Sequence, residues 1–411
     1  MTDDLDRALR GTLSTAAREA PGLPPELLER VEAGHHRRRR RRAAAAGLAV
    51  AVAVAGTGVA GALARSADEA APVAADGRLK PLSPADLGTP VKVRERWPDA
   101  VRSVPGRLPN GRELHPVELL GDGTLVAATW SSLQMPDKLW SYDLAAGEAR
   151  TITDIVVPRG SRIYASDFTI AGDQVVWWLS YRAKGGDRVE VWGAPLAGGA
   201  AHKITGLPGR DVSTLLAEED GVVLATSDGV YRAPLAGGAA ERIPGTEGFE
   251  IVSWPWIGSP ASLKGGVGYI RYRTLWNVST GERRKARLAP FKGAWTCGVT
   301  WCVGGPASGV TYHGDVKTAV QRRDGKAGRT LPGDRVGPTQ PPIYGRYLAY
   351  FPEGPAKTKT HILYDIESGR LLDTGIRRTH EVLGSVRNNQ DPQYFLEAEG
   401  GTVLLDLSKI R

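Results

Sequence analysis

The sequence predicts an all-β domain of stacked repeats behind one membrane-spanning helix. Three observations carry that expectation. A turn motif recurs through the C-terminal three quarters of the chain. Six consecutive arginines, 37–42, precede about twenty residues without charge, enough for a helix rising about 1.5 Å per residue to cross a hydrocarbon core. Glycine is abundant (51 of 411 residues), tryptophan (11) outnumbers phenylalanine (5), and helix-type periodicity is scarce after residue 90, as in short strands joined by Gly-rich turns.

In chain order, residues 2–20 read as a short helix. Thr2, Asp3 and Asp4 cap it, and Leu5, Ala8, Leu9, Leu13, Ala16 and Ala17 fall on one face. Pro21 to Pro25 break it, and Pro25 opens a second helix with Leu27, Leu28 and Val31 apolar. The pair is too small for a core. It reads as a cytoplasmic tail, 1–42, that sets topology, or as a docking element for a cytoplasmic regulator such as a sigma factor. His35 and His36 belong to the solvated polar run, and the His/Cys zinc pattern of one anti-sigma class is absent.

Residues 43–64 form the candidate transmembrane signal anchor, with Thr57 its one polar side chain. Arginines on one flank orient it with the N-terminus in the cytoplasm and everything after Arg65 outside. A cleaved signal peptide is the rival, since Ala62-Leu63-Ala64 reads as a cleavage site. The long charged region before the span opposes that reading. Residues 65–90, rich in Ala, Asp and Pro, read as a flexible extracytoplasmic linker.

From residue 91 to 411 the chain repeats. The copies are Leu139-Trp-Ser-Tyr-Asp-Leu-Ala-Ala-Gly147, Val191-Trp-Gly-Ala-Pro-Leu-Ala-Gly-Gly199 and Val230-Tyr-Arg-Ala-Pro-Leu-Ala-Gly-Gly238. Leu275-Trp-Asn-Val-Ser-Thr-Gly281, a degenerate Ala319-Val-Gln-Arg-Arg-Asp-Gly325, Leu363-Tyr-Asp-Ile-Glu-Ser-Gly369 and the C-terminal Val403-Leu-Leu-Asp-Leu-Ser408 follow. The turn glycines lie 39 to 52 residues apart, mostly near 43. An apolar strand precedes each copy: 124–129, 174–179, 221–226, 266–270, 299–303, 346–350 and 393–397. One such unit cannot bury both faces of its sheet, so units stack radially and close a ring. The expected fold class is therefore an all-β, seven-bladed β-propeller, preceded by a single transmembrane helix and a short helical cytoplasmic tail. The last repeat stops after its third strand, and residues 91–97 are expected to complete it beside residues 403–407.

The order of tail, arginine run, span, linker and repeats resembles uncharacterised TolB-like or WD-repeat-like propeller proteins of actinobacteria. Leu363-Tyr-Asp-Ile-Glu-Ser-Gly-Arg370 resembles their third-to-fourth-strand turn, and Thr296-Cys-Gly-Val-Thr-Trp-Cys302 a Cys…Trp-Cys hairpin of that group. The resemblance covers residue 91 onward. It implies a seven-bladed interaction or sensing module and no catalytic residue.

The net charge of +8 is not a nucleic-acid signal. Residues 1–42 hold ten Arg against seven Asp and Glu, and residues 65–411 hold 43 Lys and Arg against 38 Asp and Glu, dispersed along the chain. The arginine run suits anionic lipid. The two cysteines, Cys297 and Cys302, sit across a strand turn and read as a disulfide in an oxidising compartment, with two free thiols as the alternative.

The outer part carries no nucleophile elbow, P-loop, zincin or dinucleotide fingerprint, and no catalytic residue, cofactor or metal is expected. His115, His202, His313, His361 and His380 fall in different repeats. Glu218-Glu219-Asp220 reads as a solvated turn, and the Asn277 sequon as a chance match. Trp254 and Trp256 are candidate ligand-contact aromatics, with packing between repeats the plainer reading for them and for Trp295 and Trp301. The expected function is non-catalytic binding, sensing or scaffolding outside the cytoplasm, with a protein or cell-envelope polymer as partner. The alternative is a glycan-active hydrolase or lyase with paired carboxylates in the channel.

Overall fold

The computed structural model describes residues 78–411 apart from 133–134, 159–166, 210–211, 219, 262–267, 307–316, 336–339, 353–358 and 378–389. These belong to the compact unit Pro72–Arg411. The tail 1–42 and the span 43–64 lie outside the described residues. Among the described residues no helix is long and apolar enough to cross a membrane.

Sheets succeed one another along the chain. Blade 1 holds the strands His115–Leu119, Thr124–Ser132, Met135–Asp143 and Glu148–Asp154. Blade 2 holds Phe168–Ala171, Gln174–Ala183, Gly186–Pro195 and His202–Pro208. Blade 3 holds Val212–Ala217, Gly221–Thr226, Gly229–Pro234 and Glu241–Arg242, and blade 4 holds Glu250–Ser253, Trp256–Ser259, Thr274–Asn277 and Arg283–Lys285. Blade 5 holds Ala294–Cys297, Trp301–Gly305, Ala319–Arg322 and Arg329–Thr330, and blade 6 holds Gly333–Arg335, Tyr347–Pro352, Thr360–Asp365 and Leu371–Arg377. Each of the six is a four-stranded antiparallel meander.

This corrects the expectation of a seven-bladed propeller: among the described residues the propeller has six blades, not seven. The remaining sheet has three strands, Gln393–Ala398, Gly401–Asp406 and Val101–Pro105. It closes the ring between blade 6 and blade 1. The reason is the one that makes any ring of sheets need a latch. Without a strand from the other end, the edge of Gly401–Asp406 would leave its backbone groups unpaired.

The latch strand also differs from the expected one. Val101–Pro105, not residues 91–97, pairs antiparallel with Gly401–Leu405. Val101 packs with the blade 6 cluster and Val104 with the blade 1 cluster, so the strand serves both neighbours. Val91–Lys92 instead pairs parallel with Leu372–Asp373 on the outer edge of blade 6, and Val93–Arg96 forms one helical turn before Pro98. Upstream, Lys80–Pro81 pairs parallel with Arg329–Thr330 on blade 5. Leu87 is buried between blades 5 and 6. The end of the stretch read as a flexible linker is thus a belt over successive blade edges.

The core is distributed between sheets. Each neighbouring pair shares one apolar cluster, and the seventh cluster joins the closing sheet to blade 1 through Val104, Phe395, Leu404, Leu125 and Tyr142. Blade 4 departs from its sequence reading. Its second strand is Trp256–Ser259, and the Ile270–Arg271 strand leaves blade 4 to pair parallel with Trp295–Thr296 of blade 5.

Candidate ligand-binding face

The recurrent motif is a strand plus a turn that fixes one face of the ring. In blade 1 the Asp143 carboxylate accepts the amides of Ala145 and Ala146, and the Gly147 amide donates to Asp143 O at 2.9 Å. Asn277 and Asp365 build the same turn in blades 4 and 6, and Gly147, Gly281 and Gly369 all take the left-handed conformation that favours glycine. Ala-Pro-Leu-Ala-Gly-Gly serves blades 2 and 3. Its second glycine donates to the preceding blade, Gly199 to Ile152 O and Gly238 to Ile204 O.

One hydrogen bond recurs in every sheet. In the six blades a residue of the third-to-fourth-strand turn donates its amide to the segment joining the first two strands, and in the closing sheet the residue after Gly401–Asp406 donates to the one before Gln393–Ala398. The pairs are Leu144 to Gly123, Leu196 to Asp173, Leu235 to Asp220 and Val278 to Pro255, then Arg323 to Thr300, Ile366 to Arg346 and Leu407 to Pro392. Both sets of turns therefore lie on one face. Six of the seven donors are aliphatic, and each packs in the cluster shared with the preceding sheet. In blade 5 the position is Arg323.

Arg323 is 5% exposed. Its Nε and Nη2 donate to Gly298 O at 3.0 and 2.8 Å, Nη2 also to Tyr272 O at 3.0 Å, and Nη1 to Arg273 O at 3.1 Å. These partners are backbone carbonyls of blades 4 and 5. Burial, and then the charge of Arg284, push its pKa down to about 9, so it stays protonated at neutral pH.

Around this residue two recesses adjoin. The outer one, near 390 Å³, is lined by Arg284, Lys285, Arg287, Arg322, Arg323 and Asp324 together with Val299 and Thr300. The inner one, near 220 Å³, is lined by Val252, Ser253, Pro341, Pro342, Tyr344 and Gln390 together with Gly298 and again Val299 and Thr300. The shared wall is the hairpin tip of blade 5. Cys297 and Cys302 face each other across that hairpin with their sulfurs 2.06 Å apart. Tyr344 is 37% exposed and holds φ +50°, an uncommon conformation for a bulky residue. Gln390 Nε2 donates to Trp254 O at 2.7 Å, linking the closing sheet to blade 4 across the ring.

The candidate aromatics are not brought together. Trp254 packs toward blade 3, where its indole donates to Glu218 at 2.9 Å and the Arg232 guanidinium lies 5.0 Å from its ring. Trp256 packs toward blade 5 with Arg284 stacked over it at 4.3 Å. Both are half-buried. Trp256 thus positions a cation of the outer recess. His115 lies in a third recess, near 510 Å³, between blade 1 and the closing sheet, beside Glu113 at 3.9 Å and with Glu397 on the same lining. His313, His380 and Glu219 lie outside the described residues.

On the first strand of blade 4 the Glu250 carboxylate is taken by Arg271 Nη2 at 2.6 Å and by the Tyr272 hydroxyl, whose pKa burial pushes up. Among the described residues no group of three His, Cys, Asp or Glu side chains is placed to hold a metal ion.

The basic recess was missed by sequence reading, which took the outer charges as dispersed. Its cations come from two short runs in successive repeats, 283–287 and 322–323, which radial stacking sets side by side. The signal was present in the degenerate fifth copy, where arginine replaces the aliphatic residue of the turn.

The fold and this face define a β-propeller with a basic, disulfide-walled recess between two blades. No protein-family model matches the chain, and no curated protein matches it. Solved structures match at low similarity. An oligogalacturonate lyase in complex with manganese is 9% identical, with 71% of this chain and 76% of that one covered and a TM-score of 0.31. An oligogalacturonate lyase from Vibrio parahaemolyticus is 11% identical, with 69% and 74% covered and a TM-score of 0.37. Kluyveromyces lactis Hsv2 is 11% identical, with 62% and 75% covered and a TM-score of 0.32. At such similarity these neighbours say nothing of activity.

Proposed function

We propose that the chain is a single-pass membrane protein whose propeller lies outside the cytoplasm and binds a cell-envelope partner without transforming it. The observation that carries the reading is the pair of adjoining recesses sharing one disulfide-closed wall. A ring of blades holds such a wall rigidly, as preorganised binding requires. The location rests on the arginine run before the apolar stretch 43–64 and on the cysteine pair, which suits an oxidising compartment. The binding role is supported by side chains already engaged with one another. Glu250 is held by Arg271 and Tyr272, and Glu218 by Arg232 and Trp254.

The test is co-sedimentation of the purified full-length chain with envelope polymer fractions, followed by chain-length analysis of the polymer. Saturable binding with unchanged chain length is expected. Shortening of the polymer, or new reducing ends, overturns the non-catalytic reading.

A further inference from the structure

The third-to-fourth-strand turn of each blade, and the turn after Gly401–Asp406 in the closing sheet, places one residue in the interface with the preceding sheet. That slot holds Leu144, Leu196, Leu235, Val278, Ile366 and Leu407, and in blade 5 Arg323. An aliphatic residue there supports packing without desolvating a charge. The cation must give up most of its hydration, and carbonyl dipoles replace that only in part. No carboxylate is among its hydrogen-bond partners.

Its surroundings add to the mismatch. Arg284, Lys285, Arg287 and Arg322 line the same recess, against the one acid Asp324. Arg284 is paired at 2.7 Å with Glu282, and Arg322 only loosely, at 3.5 Å, with Asp324. The charge of Arg284 is one of the two causes that press down the pKa of Arg323, so the cations here repel one another. Departure from a repeat rule at one blade, with an unbalanced potential beside it, marks a functional position rather than a packing one.

We propose that the recess between blades 4 and 5 binds a ligand through its phosphate groups, with Lys285, Arg287 and Arg322 contacting the oxygens and Arg323 fixing the charge beneath them. Guanidinium forks and an ammonium match multiply charged oxyanions, and phosphate offers several acceptor oxygens and up to two charges per group. The volume near 390 Å³ exceeds what one such group fills, so a ligand bearing more than one phosphate suits it. The inference rests on the binding reading of this face and names the chemistry of its ligand.

The test is titration of the full-length chain with inorganic tripolyphosphate, and separately with a phosphodiester-linked polyol chain, at fixed ionic strength. Calorimetry and thermal shift are the readouts. Saturable binding of either probe is expected, and the stronger one tells a free polyphosphate source from a polymer source. Lys285→Gln combined with Arg322→Gln weakens binding at least tenfold. Arg323→Leu, which restores the aliphatic of the other turns, does the same. Arg242→Gln, on blade 3 and paired with Glu247, leaves binding unchanged. Should Arg323→Leu fail to fold, the double variant of exposed side chains decides alone. No saturable binding, equal loss with Arg242→Gln, or tighter binding of citrate than of tripolyphosphate overturns the proposal. Failure here, with polymer still bound unchanged, leaves the binding reading standing; shortened polymer removes that reading whatever the phosphate result.

Discussion

In blade 6 the Arg346 fork meets Asp365, Nε to Oδ1 at 2.7 Å and Nη2 to Oδ2 at 2.6 Å. The Asp365 side chain is 4% exposed and also accepts the Glu367 amide and the Ser368 hydroxyl. Burial alone works to raise its pKa; the Arg346 and Ser368 hydrogen bonds outweigh burial and hold it below the ordinary 3.8. Arg346→Met keeps the length of the side chain and leaves the carboxylate enclosed without its cation. Breaking a buried pair from one side costs roughly 3–5 kcal/mol, and water reaching the partly exposed arginine puts this case near the lower end, about 3 kcal/mol. A carboxyl with a depressed folded-state pKa stabilises the protein above its unfolded value, and that stability is lost as the pH falls through the folded one. The gap between wild type and Arg346→Met therefore narrows below pH 4. Arg346→Met with Asp365→Asn recovers at least half of the loss, because no unpaired charge remains. Urea unfolding followed by tryptophan fluorescence at pH 7 and near pH 3.5 measures all three. A single-variant cost under about 1 kcal/mol at pH 7, or a double variant no better than the single, refutes the reasoning.

Three further outcomes are expected. A Cβ on Gly401 would sit 2.3 Å from Val104 O and 2.8 Å from Gly106 N, so Gly401→Ala displaces the closing strand. It lowers stability by about 1–3 kcal/mol and speeds proteolysis near residue 101, whereas Gly121→Ala, with open space around it, stays within about 0.5 kcal/mol. Asp167, ahead of blade 2, has its pKa pushed up to about 6 by loss of water contact. Its stabilising contribution is complete below the unfolded value of 3.8 and is lost as the pH rises through 6, so Asp167→Asn is the more stable form at pH 7.5, by at most about 3 kcal/mol, and flattens the stability profile between pH 4 and 7 in urea titrations. Cys297→Ser with Cys302→Ser lowers stability by roughly 2 kcal/mol, measured against the oxidised wild type without reductant.

Much of the ring was legible because its repeat is local. The turn glycines near every 43 residues mark third strands, and the alternating runs at 174–179 and 221–226 fall within observed second strands. What the sequence hid depends on partners far along the chain. Trp254-Pro255-Trp256 reads equally as ligand-contact aromatics or as packing between repeats, and only the fold shows it as the hairpin turn that starts the second strand of blade 4. Residues 91–97 look as strand-like as 101–105, and only the two faces filled by Val101 and Val104 choose between them. The last repeat reads as a seventh blade completed by residues 91–97, whereas only six blades form and a three-stranded sheet that includes Val101–Pro105 closes the ring. The recess escaped notice because charge was judged along the chain, whereas Arg284 and Arg322 come together only across a blade interface.

The measurement closest to the central claim is protease shaving of intact cells carrying a C-terminal tag on the chain. An outward-facing propeller predicts loss of the tag while an N-terminal fragment with residues 1–64 stays in the membrane. A tag that remains protected until the cells are opened contradicts the account, because it puts the recess with its cysteine pair on one side of the membrane and any envelope ligand on the other.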